Sequence, residues 1–202
     1  MSRPSPRLLE EAAAGDPFLQ LERWFEEATQ AGEAQPDAMA LATASAAGLP
    51  SVRMVLLKRF DPGGLVFYTD YDSDKGRDLE INPHAAGVVF WAALHRQVRA
   101  SGPVSRLPRR DSEAYFSSRP HGAQVSAAAS RQSHPVTLEA LEAEVARIAA
   151  AHPASVPPPA RWGGYVMRPE RFEFWQGRPD RLHDRLRYGR RGSAWDITRL
   201  SP

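Results

Sequence analysis

Residues 17–31, PFLQLERWFEEATQA, carry Phe18, Leu21, Trp24, Phe25 and Ala28 at intervals of three and four behind an Asp16-Pro17 start, which predicts an amphipathic helix. Four stretches rich in strand formers follow, AMALATAS, SVRMVLLKRF, GLVFYTD and AAGVVFWAAL. They are separated by AAGLP, DPGG and the polar SDKGRDLEINP, which reads as a short helix, and a fifth strand is predicted over HRQVRASGPVSRL. Short β runs punctuated by turn signals predict an antiparallel barrel or sandwich rather than a βαβ sheet. The middle of the chain changes period. LPRRDSEAYFSSRP reads as a short helix stopped by Pro120, and TLEALEAEVARIAAA as a clear one with Leu138, Leu141, Val145 and Ile148 on one face. After the proline-rich HPASVPPPA, strands return at WGGYVMRP, RFEFWQ, DRLRYGR and AWDITRL. The expectation is a mainly β, α+β domain over residues 16–202, preceded by a flexible segment over residues 1–15.

Composition adds three constraints. No apolar run approaches a membrane span and the first residues lack a signal-like apolar core, which together with zero cysteines sets the expectation of a cytoplasmic protein without disulfides or thiolate metal sites. The net charge of +2 is too small to imply nucleic-acid binding, although residues 161–202 hold ten Arg against five acidic residues. Of 26 basic residues only Lys58 and Lys75 are lysines, so each merits scrutiny where a compact ammonium differs from a guanidinium fork.

Walker, GxGxxG, HExxH and GxSxG signatures are absent, and His84, His95, His121, His134 and His152 are scattered without ligand spacing, so no metal is expected. Phosphate-suited clusters stand out instead. RMVLLK places Arg53 and Lys58 at the ends of an apolar run, with a parity that sends them to opposite faces of a regular strand. YTDYDSDK ends a strand at Tyr68 and Thr69 and starts a helix at Ser73 and Lys75, an anion site or simply a helix cap. Tyr115 and Arg119 share a helical face at i, i+4 and read equally as a phosphate grip or a surface pair. RQS, residues 131–133, is a polar loop insert. If RLHDR is extended, Arg181, His183 and Arg185 form a cationic stripe while Leu182 and Asp184 face away; a solvated strand is the bland alternative. Two phosphate grips with Trp175 as a flat platform suit a phosphorylated cofactor and a phosphorylated substrate.

RMVLLK, VFYT, RQV, YFSSRP, SRQS, WGG, EFWQG and RLHDR, in this order and ending in RLSP, resemble the pyridoxamine (pyridoxine) 5′-phosphate oxidase family from about Asp16 to Pro202. The resemblance implies an FMN-binding split β-barrel and a homodimer with FMN at the subunit interface. It further implies oxidation of pyridoxamine or pyridoxine 5′-phosphate to pyridoxal 5′-phosphate by O2, with hydrogen peroxide as product. By matching position, FMN contacts fall on Arg53, Met54, Val55, Leu56, Leu57, Lys58, Tyr68, Thr69, Lys75, Gln97, Gln132, Ser133, Trp175 and Arg185. Substrate contacts fall on Lys58, Tyr115, Arg119, Arg181, Leu182 and His183, with Arg181 and His183 as the catalytic pair. Gln132, Ser133, Trp175 and Arg185 are expected to come from the subunit opposite Arg53 and Lys75. The chain departs from the family pattern at Asp74, where a basic residue is usual, at Ala123 and Ala128, and in lacking an Arg and Tyr segment near its start. Competing expectations are a phenazine-pathway type of FMN oxidase, a non-catalytic flavin-binding protein and a basic nucleic-acid binder.

Overall fold

The Asp16 carboxylate accepts a hydrogen bond from the Phe18 amide at 2.8 Å and caps helix α1 (Pro17–Gln30) in the computed structural model, which describes residues 7–202. The apolar stripe of α1 buries Phe18, Leu21, Trp24 and Ala28, with Phe18 edge-on to Phe172 and Trp24 edge-on to Phe174. Each large apolar side chain removed from water there contributes roughly 1.5 to 3 kcal/mol.

Ten antiparallel strands form the body: β1 (Ala38–Ala44), β2 (Pro50–Leu56), β3 (Arg59–Asp61), β4 (Gly64–Asp70), β5 (His84–Trp91), β6 (Arg96–Arg106), β7 (Trp162–Met167), β8 (Arg171–Gln176), β9 (Asp184–Arg191) and β10 (Ala194–Arg199). The main path runs β10-β9-β8-β6-β5-β1-β2, and β3, β4 and β7 make a second layer joined through β6. Strand β6 pairs with β8 over Arg96–Ser101 and with β7 over Val104–Arg106. Gly102 sits at the changeover, where a Cβ would lie 2.3 Å from the Arg168 carbonyl oxygen, so no larger residue fits. A second changeover follows β2. The Leu57 amide donates to the Asp37 carbonyl and the Lys58 amide to the Val66 carbonyl, both at 2.8 Å, carrying the chain from β1 to β4. Two such transfers open a barrel into two halves.

Among the described residues four further α-helices complete the fold: α2 (Asp74–Ile81), α3 (Arg109–Ser118), α4 (His121–Ala129) and α5 (Leu138–Ala151). Phe116 and Val125 from the helices pack with Val156 and Trp162 into a small second core beside the barrel. Among the described residues no helix is long and apolar enough to cross a membrane.

The structure modifies four expectations. The run 51–60 is two strands divided at Leu57–Lys58, and Ala92–Leu94 is a 3-10 turn rather than the end of β5. Helix α4 occupies His121–Ala129, a stretch past Pro120 for which the sequence pattern predicts no element. The packed body begins before Asp16: Leu8 is buried, and Arg199 donates to the Leu8 carbonyl oxygen at 2.8 Å and to Glu10 at 2.6 Å. Of the segment expected to be flexible, residues 1–6 lie outside the described residues.

Candidate active site

Strand β4 delivers two adjacent side chains, Tyr68 and Thr69, to opposite sides, and each anchors a different cluster. Past Asp70 the chain turns into α2 with Ser73 as its cap, whose hydroxyl donates to the Asp70 carbonyl at 2.6 Å and accepts from the Gly76 amide. Gly76 is required, because a Cβ there would sit 2.0 Å from the Tyr71 carbonyl oxygen.

Lys75, only 5% exposed, points into this junction and donates to Thr69 Oγ1 at 3.1 Å, Ser73 Oγ at 3.3 Å and Gln132 Oε1 at 2.5 Å. Burial, and secondarily the positive charge of Arg53, lower its pKa from the usual 10.5 to about 8. Arg53 donates to Thr43 Oγ1 at 2.6 Å and Ser51 Oγ at 2.7 Å, and its nearest carboxylate, Asp78, stands 4.0 Å away. Burial lowers its pKa too, against the pull of Asp78. Ser133, at φ +70°, accepts from the Asp74 amide at 3.2 Å. Two partly desolvated cations, hydroxyls and the start of a helix converge here, the chemistry of a phosphate cradle. Asp74, the departure noted above, pairs with Arg77 at the exposed rim.

On the other side of β4, Tyr68 stacks on Tyr115 with ring centroids 3.9 Å apart and on Trp162 at 5.3 Å. The Arg119 guanidinium lies over the Trp162 ring at 5.0 Å, its Nη1 buried without a hydrogen-bond partner among the described residues, and burial lowers its pKa. The carbonyl of Arg119 is held by the Gln124 amide at 2.9 Å, which gives α4 its role in positioning this residue. A buried guanidinium nitrogen without an acceptor suits an anion supplied from outside. Lys58 is engaged by Asp37 at 2.7 Å.

The third cluster lies on the outer face of the sheet. Register places Gln97 opposite Trp175 and Trp175 opposite Arg185, so the three form one row across β6, β8 and β9. Arg185 is braced by Glu173 at 2.9 Å and by the Ser201 carbonyl at 2.8 Å. His183 packs against Trp175 with ring centroids 4.6 Å apart, and its Nδ1 accepts from the Arg178 amide at 3.1 Å. Met54 and Leu56 share this outer face, whereas Arg53 and Val55 point inward, and Leu57 is buried at the barrel split.

Two site expectations need correction. RLHDR is not a continuous strand: Pro179–Arg181 is a 3-10 turn with Asp180 and Arg181 at φ +56° and +59°, and β9 starts only at Asp184. Arg181, His183 and Arg185 therefore do not form a period-2 stripe; Leu182 is 71% exposed on the loop that carries the first two. Gln132 and Ser133 contact Lys75, Thr69 and Asp74 of their own chain rather than reaching across from a second subunit. Sequence reasoning also missed the braces Thr43, Ser51 and Glu173, ordinary polar residues whose partners become visible only in the fold. Among the described residues no group of His, Cys, Asp or Glu is arranged to hold a metal ion.

The chain matches the family model described as pyridoxamine 5′-phosphate oxidase over residues 25–152. A second, described as the pyridoxine 5′-phosphate oxidase C-terminal dimerisation region, matches over residues 162–202. The pyridoxine/pyridoxamine 5′-phosphate oxidase of Bordetella pertussis is 50% identical over 196 residues, covering 96% of this chain and 93% of its own. That of Rubrobacter xylanophilus is 51% identical over 199 residues, covering 96% and 91%. PhzG from Burkholderia lata, solved in complex with tetrahydrophenazine-1-carboxylic acid, superposes with a TM-score of 0.93 at 33% identity over 99% of this chain and 100% of that one. On matches that span both halves of the sequence, this chain belongs to the pyridoxamine 5′-phosphate oxidase family.

Proposed function

We propose that this protein is an FMN-dependent oxidase that converts pyridoxamine or pyridoxine 5′-phosphate to pyridoxal 5′-phosphate. The observation that carries the reading is the pair of anion-suited clusters on either side of β4, the Lys75 cradle and the partnerless Arg119 Nη1, in a chain half identical to oxidases of that name. FMN fits the first cluster: Lys75, Thr69, Ser73 and Arg53 supply charge and hydroxyls for its phosphate, and Gln132 and Ser133 close the rim. What FMN supplies when bound is a two-electron acceptor for the hydride from the substrate C4′ carbon, returned to dioxygen as hydrogen peroxide. Arg119 and Tyr115, with Lys58, hold the substrate phosphate.

Arg181 and His183 act at the substrate ring. Because His183 Nδ1 accepts the Arg178 N–H, the neutral imidazole carries its proton on Nε2 and presents a donor away from its own loop. With an amine substrate the product imine is hydrolysed by water, releasing ammonia; with an alcohol the aldehyde forms directly.

We also infer a homodimer. Arg53 on the inner face of the sheet, with Lys75 of α2 beside it, and the outer row Gln97–Trp175–Arg185 lie on opposite sides, so a single flavin meets both sets when a second chain packs on the outer face. That face is apolar toward β2 and β5, with Val52 68%, Met54 61% and Phe90 55% exposed. The working compartment is the cytoplasm, in keeping with the absence of cysteine.

The shape match to PhzG supports a second reading, an oxidase of a phenazine-type ring. A substrate without phosphate leaves Arg119 Nη1 without an acceptor, which favours the phosphorylated vitamers. The deciding experiment is to purify the protein, record its flavin spectrum and measure peroxide release with pyridoxamine 5′-phosphate, pyridoxine 5′-phosphate and tetrahydrophenazine-1-carboxylic acid. A flavin spectrum with turnover of a phosphorylated vitamer is expected. A colourless protein that cannot be loaded with FMN, or turnover of the phenazine alone, would overturn the reading.

A further inference from the structure

Asp184 stands between His183 and Arg185 and has no role in the chemistry above. It is 2% exposed, yet it is a carboxylate surrounded by donors from three separate parts of the chain. Its Oδ1 accepts from Arg7 at 3.3 Å and from Arg199 at 3.1 Å; its Oδ2 accepts from the Leu8 amide at 3.2 Å and lies 3.9 Å from Arg178 Nε. A buried charge with so many partners is costly to assemble and more costly to leave incomplete. The N-terminal segment, the end of β10 and the loop 178–183 all meet at this one side chain.

The loop has a reason to need it. Asp180 and Arg181 are consecutive non-glycine residues at positive φ, a conformation that persists only where the surroundings over-determine it. Arg178, at the loop's start, is tied twice to its end: its amide to His183 Nδ1 and its guanidinium toward Asp184. Asp184 in turn is fixed by Arg199, which also holds Glu10 and the Leu8 carbonyl.

We propose that Asp184 is a positioning residue: its carboxylate clamps the loop carrying Arg181 and His183 against the N-terminal segment and β10, so that the imidazole keeps its tautomer and its place beside Trp175. Removing the charge frees the loop without touching the FMN phosphate cradle. This rests on the oxidase reading for its effect on turnover, but its effect on the loop does not.

The test compares wild type, Asp184→Asn and Arg178→Gln in two ways. In FMN-free protein, amide hydrogen exchange is followed over residues 178–183 and, as a control, over β4 and α2. In FMN-loaded protein, FMN affinity, kcat and KM for pyridoxamine 5′-phosphate are measured. Both variants are expected to raise exchange over 178–183 by about tenfold or more while leaving β4 and α2 unchanged. FMN affinity should stay within about threefold of wild type, and kcat should fall about tenfold in Asp184→Asn and less in Arg178→Gln, with KM moving less than kcat. Exchange that rises evenly across all segments shows a structural role only and overturns the proposal, as does wild-type exchange with wild-type kcat. Should Asp184→Asn not fold, Arg178→Gln decides by the same two readouts. A wild-type protein without peroxide release defeats the oxidase reading, while the exchange comparison still judges the clamp.

Discussion

Lys75 and His183 are held in opposite ways. Lys75 sits where a strand turns into a helix, on backbone of ordinary geometry, and three of its neighbours, Thr69, Ser73 and Gln132, are neutral acceptors within hydrogen-bond reach. His183 sits at the end of a loop with two strained residues, and among the described residues its hydrogen bond comes from the loop itself. The first region is a cradle built before its ligand arrives, which lowers the cost of binding a phosphate. The second is a small strained segment kept in place by ion pairs reaching across more than 170 residues, from Arg7 to Asp184. Cofactor retention and turnover should therefore fail separately.

The largest separation is expected from His183→Ala. A positioned proton donor is worth about 10²-fold or more in rate, so kcat should fall by about that factor while flavin content and FMN affinity stay as in wild type. Single-turnover flavin reduction under anaerobic conditions measures it. Loss of flavin together with loss of rate would erase the distinction between the two regions. Next in size is Lys75→Met, which should weaken FMN binding by about tenfold to a hundredfold, the worth of a lost charge-assisted hydrogen bond, with kcat restored at saturating FMN. Fluorescence titration of FMN-free protein reads this directly.

Much of the cradle was legible in the sequence and much of the loop was not. Thr69, Ser73 and Lys75 lie within seven residues of one strand-to-helix junction, and local chemistry is what a sequence displays. Gln132 completes that cradle from 57 residues away; SRQS marks it as a site residue, but only the fold shows that Lys75 is its partner. RLHDR sets Arg181, His183 and Arg185 at alternate positions, so only an extended conformation would make them one stripe; the turn that precedes β9 instead depends on Pro179, on Asp180 tolerating positive φ, and on the tertiary ties to Arg178. Helix α1 announces itself by a long apolar stripe behind an Asp-Pro start. Helix α4, HGAQVSAAA, has only nine residues, no capping side chain and few apolar groups beyond alanine, and it is held by Gln124 bonds to Arg119 and Val156.

The pH dependence of FMN binding sharpens the comparison from the cradle side. In FMN-free protein the Lys75 pKa is lowered to about 8, so between that pH and its unfolded value of 10.5 the unfolded chain binds more protons than the folded one. The destabilisation from burying the ammonium is thus fully present below pH 8 and is relieved as pH rises toward 10.5. Binding of a phosphate runs the other way, since it needs the charged form. FMN affinity should be level up to about pH 8 and roughly tenfold weaker at pH 9, with proton uptake on binding in that range. Lys75→Arg should flatten the profile. A flat profile in wild type would mean that the ammonium is not what the cradle offers.

The smallest effect is expected at the other lysine. Lys58 leaves β2 at the barrel split and donates to Asp37 at 2.7 Å, with its side chain 29% exposed. A free buried cation on the substrate phosphate would be worth about 1.5 to 3 kcal/mol, or roughly tenfold to a hundredfold in KM. Lys58 is neither free nor deeply buried, so it must share its charge with Asp37 and part of that value is already spent. Lys58→Met should raise KM for pyridoxamine 5′-phosphate only about threefold to tenfold, with FMN affinity unchanged, because Arg53 and Lys75 remain. Asp37→Asn releases the ammonium and should lower KM or leave it level. Combining the two changes separates the roles: once Lys58 is gone, Asp37→Asn should no longer lower KM. If instead Asp37→Asn raises KM as much as Lys58→Met does, the ion pair serves to fix the barrel split and Lys58 does not touch the substrate.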